Sequence, residues 1–252
     1  MNIGFIGFGE AAYCIALGFS QNGITGIRAN DAMMNHPVMG QQVHARAAEA
    51  QVELVEDPKE VARWADVLFA AVPSSFTMDV CNTVKDELRP GQIYADVSAS
   101  TPATKIAIWD KIKDTGVLFA DAAMLGSLPQ DKHRVPITAS GNGAKKFKEV
   151  MEPLGMRITL AGDKAGSASA IKLVRSIFMK GIASLMIETM QAADAYDVSE
   201  EIVASLSKSL DGIPFTKHRL EALEPYKFAE KYVASKPQGY AEIIEAIRVK
   251  KN

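Results

Sequence analysis

Gly7-Phe8-Gly9-Glu10-Ala11-Ala12 has the form G-x-G-x-x-G/A, and it stands between a short apolar run and a helical pattern. In such a turn Gly7 permits the tight bend, and Gly9 leaves room for a pyrophosphate against the backbone. Ala12 is small enough for close helix–sheet packing. The helix start supplies free N–H groups and a partial positive charge to phosphates. Glycine turns also join strands to helices for steric reasons alone, so position after a first strand is what points to dinucleotide binding. A methyltransferase turn also uses glycines, but it usually wants a third one where this chain has Ala11-Ala12.

An acid at the end of the second strand should accept the ribose hydroxyls of a dinucleotide, and Asp31 stands where that role expects one. A carboxylate there repels a 2′-phosphate, which favours NAD. Arg28 and Asn30 keep NADP open, and Asp31 as a plain turn residue is the simpler alternative. Val72-Pro73-Ser74 closes a third strand at its carboxyl end, where open α/β sheets bind ligands, and either lines the cofactor ribose or merely ends the strand. Lys172, Ser176 and Lys180 recur at i, i+4, i+8 and form one polar stripe on a helix. A helical lysine is ordinarily solvated, so spacing alone assigns it no chemistry. The four histidines, His36, His44, His133 and His218, have neither a nucleophile elbow nor metal-ligand spacing, and no metal is expected.

The elements that must position these residues follow from the apolar pattern. Strand-like runs lie at Asn2–Ile6, Gly26–Asn30, Val67–Val72, Ile93–Val97, Leu118–Ala122, Val135–Ala139 and Arg157–Leu160. They are continuous rather than alternating, as in strands covered on both faces. Helical patterns near 10–22, 38–50, 58–65, 75–88, 102–115 and 143–152 separate them, so the expectation is an α/β fold with a parallel, Rossmann-type sheet. From Gly166 to about Tyr196 a long helix is expected, and beyond it only helices, at Glu200–Leu210, Phe215–Leu223, Pro225–Ala234 and Tyr240–Val249. The expected organisation is a nucleotide-binding domain at 1–162 and a smaller all-α domain at 163–252.

The chain has 252 residues, 48% of them hydrophobic, and 28 basic against 30 acidic residues give a net charge of −2. This balance argues against a surface built for nucleic acid or anionic lipid. No apolar run approaches the ~20 residues of a membrane span. The start, MNIGFIGFGE, lacks a basic secretory leader, and two cysteines, Cys14 and Cys81, make no disulfide framework. A cytoplasmic protein is expected.

Three further segments, with the glycine turn, resemble the β-hydroxyacid dehydrogenase family, which includes hydroxyisobutyrate and 6-phosphogluconate dehydrogenases. Asp96-Val97-Ser98-Ala99-Ser100-Thr101-Pro102 is similar to the family's substrate loop, with Ala99 departing from it. Asp121-Ala122-Ala123-Met124-Leu125-Gly126-Ser127 resembles D-A-P-V-S-G-G, with Leu125 where a serine is usual. Gly166-Ser167-Ala168-Ser169-Ala170-Ile171-Lys172 resembles G-x-G-x-x-x-K, with Ala168 in place of the second glycine. The resemblance implies that Lys172 is the catalytic acid/base and that Ser98, Gly126, Ser127 and Ser176 bind substrate, Ser176 standing where asparagine is usual. The branch it points to has a phosphogluconate dehydrogenase-like C-terminal domain and no secure substrate.

The resemblance therefore implies hydride transfer between NAD or NADP and a small β-hydroxy acid or its keto form. An imine or other carbonyl reductase on the same scaffold is the alternative, and a non-catalytic dinucleotide-binding protein a third. Lys172 must have its pKa lowered by burial or by Lys180 nearby. Asp131-Lys132-His133-Arg134 reads as a solvated loop. About 90 residues are lean for the family's second domain, so apolar surface around Leu185, Met186 and Met190 is expected to meet a second copy in a homodimer.

Overall fold

The computed structural model describes residues 1–210. Eight strands form one sheet: β1 (Ile3–Ile6), β2 (Ile27–Asn30), β3 (Val52–Leu54), β4 (Val67–Ala70), β5 (Ile93–Asp96), β6 (Leu118–Met124), β7 (Pro136–Ser140) and β8 (Arg157–Leu160). Their order is β3-β2-β1-β4-β5-β6-β7-β8, a Rossmann-type arrangement whose strand order reverses between β1 and β4. Helices α1 (Glu10–Gln21), α2 (Met39–Glu49), α3 (Pro58–Trp64), α4 (Thr77–Val84), α5 (Pro102–Ile112), α6 (Leu128–Asp131) and α7 (Ala144–Met151) connect them. The long α8 (Ser167–Asp194) and α9 (Ser199–Leu210) follow.

Alternate residues of a strand feed opposite faces, and β4 shows it: Val67 and Phe69 enter one core, Leu68 and Ala70 the other. The first core is closed by α1, α2 and α7 through Ile15, Phe19, Val43 and Phe147. The second is closed by α3, α4 and α5 through Val61, Val84, Ile108 and Ile112. Caps set the helix starts. The Asp57 side chain accepts from the Lys59 N–H ahead of α3, and Thr101 accepts from the Thr104 N–H ahead of α5, each with proline next in the chain.

The strand pattern departs from expectation at two places. Val52–Leu54 forms a short edge strand that pairs in parallel with β2, where none is expected. The pair β6–β7 is antiparallel in an otherwise parallel sheet. The connection between these strands holds only the single turn α6 and a 3-10 turn, too little chain for a parallel crossover. That same connection is not a solvated loop. His133 is 3% exposed, its ring 5.3 Å from that of Phe19, so the expectation for 131–134 is corrected.

The chain divides into two compact units, Met1–Gly181 and Ile182–Asn252. In the second, the end of α8 and α9 are joined by a turn in which the Val198 N–H donates to the Ala193 carbonyl, with Ala193 buried and Tyr196 exposed. The helices expected at Phe215–Leu223, Pro225–Ala234 and Tyr240–Val249 lie outside the described residues. Among the described residues no helix is long and apolar enough to cross a membrane.

Candidate functional site

Gly7 follows β1 with φ +86°, a conformation L side chains rarely adopt, and a Cβ there would lie 2.6 Å from the Ala71 carbonyl oxygen. The carboxyl ends of β1 and β4 approach so closely that only glycine fits between them. Gly9 precedes α1, and a Cβ there would meet nothing within 4 Å. Open space above the first amides of α1, which have no carbonyl one turn earlier to bond, fits a pyrophosphate. Ala12 is fully buried against the sheet. Phe8 lends its backbone, not its ring, to the turn. The ring is buried edge-to-face on Phe5 at 6.3 Å, and its N–H donates to Asp31 Oδ2 at 2.6 Å.

Asp31 follows β2 directly, and its Oδ1 accepts from the Met33 N–H at 2.8 Å. Its carboxylate is thus fixed at the lip of a cleft of about 490 Å³ lined by Gly7, Gly9, Asp31, Val72, Pro73 and Arg46 among others. Glu10 is exposed and Ala11 half-buried at the start of α1, and Ser74 opens an exposed 3-10 turn after Pro73; none of the three lines the cleft. Arg28 and Asn30, the residues that kept a 2′-phosphate open, are committed elsewhere. Arg28 pairs with Glu53 at 2.9 Å and lies over the Trp64 ring at 4.6 Å. Asn30 donates to the Val55 and Glu56 carbonyls. Arg46 of α2, to which the sequence reading gave no role, is a cation on the cleft wall.

A second group of residues gathers at the carboxyl ends of β5 and β6. Asp96 and Asp121 are partners in register, both wholly buried, and on the face covered by α5. Two carboxylates side by side on strands about 4.8 Å apart repel in a dry interior. Lys105 of α5, also wholly buried, lies between them, 2.8 Å from Asp96 Oδ1 and 3.7 Å from Asp121 Oδ1. Removing Lys105 alone would strand two buried charges, at a cost of about 3–5 kcal/mol.

Ser98 is 7% exposed, and its hydroxyl donates to Asp96 Oδ1 at 2.5 Å. Asp121 holds the start of α8: it accepts from the Ser169 N–H at 2.9 Å and the Ser169 hydroxyl at 2.7 Å. Gly166 has φ +88°, and a Cβ there would lie 2.8 Å from the Pro102 carbonyl oxygen, which brings α8 against α5. Lys172 stands one turn into α8 and is half-buried. Burial pushes its amine below the usual lysine range, the Lys105 charge lowers it further, and Asp121 opposes both. The second cation is thus Lys105 and not Lys180, which is exposed.

The Ser176 hydroxyl donates to the Lys172 carbonyl at 2.8 Å. Ser127 is exposed at the start of α6 with no side-chain cap bond. Gly126 is required by packing, since a Cβ would lie 2.8 Å from Pro136. Ser98 and Lys172 are joined through Lys105 and Asp121, whereas no contact of Gly126 or Ser127 with either is seen. Among the described residues no group of three or more His, Cys, Asp or Glu is placed to hold a metal ion.

Residues 2–100 match the family described as NADP oxidoreductase, coenzyme F420-dependent. A conserved hypothetical protein from Sinorhizobium meliloti 1021 is 31% identical, with 85% of this chain and 72% of that one covered and a TM-score of 0.71. A conserved protein of unknown function, described as structurally similar to 3-hydroxyacid dehydrogenases, is 25% identical, with 97% and 93% covered and a TM-score of 0.69. The chain thus has the fold of the 3-hydroxyacid dehydrogenases and imine reductases, with a dinucleotide-binding Rossmann domain at its start. Two further solved structures, each at 18% identity, share its fold. One is 3-hydroxyisobutyrate dehydrogenase from Mycobacterium tuberculosis, with 86% and 73% covered and a TM-score of 0.72. The other is an imine reductase variant from Myxococcus stipitatus in complex with NAD+, with 91% and 77% covered and a TM-score of 0.72.

Proposed function

We propose that this protein transfers a hydride between a nicotinamide cofactor and a small β-hydroxy acid or its keto form, with Lys172 as general acid/base. The observation that carries the reading is the environment of Lys172. It is a half-buried amine whose ionisation is lowered, on a helix start fixed by a buried aspartate. The glycine turn, Asp31 and Val72-Pro73 fit a dinucleotide at the strand-order reversal, and the M. stipitatus neighbour is itself a complex with NAD+. A bound nicotinamide would supply hydride acceptance or donation. Lys172 would take the substrate hydroxyl proton in the oxidative direction and return it in the reductive one. A pKa shifted downward is the direction the oxidative role needs.

Asp31 favours NAD, since Arg28 and Asn30 are engaged elsewhere; Arg46 is the residue through which NADP would be accepted. A second reading, an imine reductase, draws support from the substrate loops. The Ser98 hydroxyl is committed to Asp96, and Leu125 replaces a serine, so fewer hydroxyls are free for a substrate carboxylate. Cys14 and Cys81 are free and buried, and burial pushes the Cys81 thiol up to about 11, in keeping with a cytoplasmic protein.

A fluorescence titration with NAD and NADP, followed by panels of β-hydroxy acids and cyclic imines assayed in both directions, tests the reading. Tighter NAD binding and turnover of a hydroxy acid are expected. Turnover of imines alone would favour the second reading, and binding with no turnover on either panel would contradict both.

A further inference from the structure

We propose that Lys105 is a positioning residue of the substrate site, tying the loop that carries Ser98 to the carboxylate that holds the head of α8, three residues ahead of Lys172. The proposal rests on Lys172 as the acid/base group and extends it to a residue that touches neither cofactor nor substrate.

Lys105 is wholly buried, and its ammonium spends its protons on one short stretch of chain. It donates to the Asp96 carbonyl at 3.0 Å, to the Ser98 carbonyl at 3.0 Å and to the Ser98 hydroxyl at 3.3 Å, and it pairs with Asp96 Oδ1 at 2.8 Å. Its charge also reaches Asp121 Oδ1 at 3.7 Å, and Asp121 in turn accepts both donors of Ser169. Ser140 adds a branch, its hydroxyl bonding Asp121 Oδ2 at 3.4 Å and accepting from the Ala168 N–H at 2.9 Å. Three segments far apart in sequence, the loop after β5, the strand β6 and the head of α8, are thereby fixed to one ammonium.

Stability does not account for this arrangement. A buried ion pair is often no better for folding than apolar side chains of the same volume. One oxygen, Asp96 Oδ2, is buried without a partner. What the cluster does supply is geometry, together with a fixed positive charge near Lys172. The charged groups that act on Lys172 are Lys105 from α5 and Asp121 from β6.

The test uses the full chain and needs no substrate. Acetylation by acetic anhydride across a pH series, read peptide by peptide by mass spectrometry, gives the midpoint at which Lys172 ionises. Amide hydrogen exchange over residues 166–172 reads the anchoring of α8. Lys105→Met and the charge-balanced pair D96N/K105M are compared with the wild type, the pair because the single change strands two buried carboxylates. Both variants are expected to raise the Lys172 midpoint above that of the wild type. They should also speed exchange over 166–172 several-fold and leave the NAD titration unchanged. If the folded double variant keeps the wild-type midpoint and exchange, Lys105 is only a core residue and the proposal is overturned. If wild-type Lys172 already ionises at the ordinary lysine value of about 10.4, the acid/base reading fails, and the proposal with it; that result appears in the wild-type sample alone.

Discussion

Gly7 meets two demands that no other residue type satisfies together: a φ of +86° and a Cβ position 2.6 Å from the Ala71 oxygen. Alanine there would push β1 away from β4 at the place where the dinucleotide is read to bind. The left-handed conformation alone costs roughly 1 kcal/mol for a residue with a Cβ. With the clash added, Gly7→Ala should weaken NAD binding about tenfold or more, measured by fluorescence titration, with the fold retained by circular dichroism. The glycine turn was legible because the bend after β1 demands glycine at a fixed place, and the position of Asp31 because it directly follows β2. Lys105 was not, since a lysine on a helix is ordinarily a solvated residue. A signal was present all the same. Lys105, Ile108 and Ile112 fall at i, i+3, i+7 on the apolar face of α5, and two aspartates end neighbouring strand-like runs. An amine on a buried face opposite two buried acids is a charge-balance argument, and it needs the strand order to be known.

Helix α1 carries a glycine in its interior, where alanine would be preferred by about 1 kcal/mol. The reason is His133: a Cβ on Gly18 would lie 2.2 Å from its Nδ1. The imidazole is packed between α1, Phe19 and Gly155, and its Nδ1 has no partner. Burial pushes its pKa below 6.5, with Arg134 and Lys132 adding to the effect. The folded pKa is lower than the unfolded one, so the folded state holds a neutral ring that the unfolded chain protonates first. The stabilisation is therefore complete above about pH 6.5 and declines as the pH falls toward the lower folded value. Thermal unfolding should show a lower midpoint at pH 5.5 than at 7.5, and His133→Leu should flatten that dependence; an unchanged slope in the variant would contradict it. At this scale the sequence was clear for the long elements, and the expected helix from Gly166 to about Tyr196 corresponds to α8 at Ser167–Asp194. It was unclear for Val52–Leu54, too short to show a period, and for β7, whose direction depends on what an 11-residue connection can span rather than on its own composition.

At the scale of the whole molecule, α8 and α9 present exposed apolar side chains among the described residues. Leu185 is 61% and Met186 63% exposed, and Val203 and Leu206 are also exposed. A second copy of the chain is the proposed cover. Sedimentation at micromolar concentration should give a dimer, and Met186→Glu should shift it toward monomer; a wild-type monomer would contradict the proposal. The nucleotide-binding sheet was readable because parallel strands buried on both faces are continuous apolar runs, whereas the site is assembled from β5, β6, α5 and α8, whose proximity no spacing records. The proposed reaction needs both parts: a dinucleotide held by the glycine turn, and a proton handled by Lys172. The most direct test is Lys172→Met, assayed with the best compound from the substrate panels and titrated with NAD. Turnover should fall by about 10²–10⁴-fold, the usual worth of a general acid/base, with NAD affinity within about twofold of wild type. Turnover near the wild-type value would contradict it.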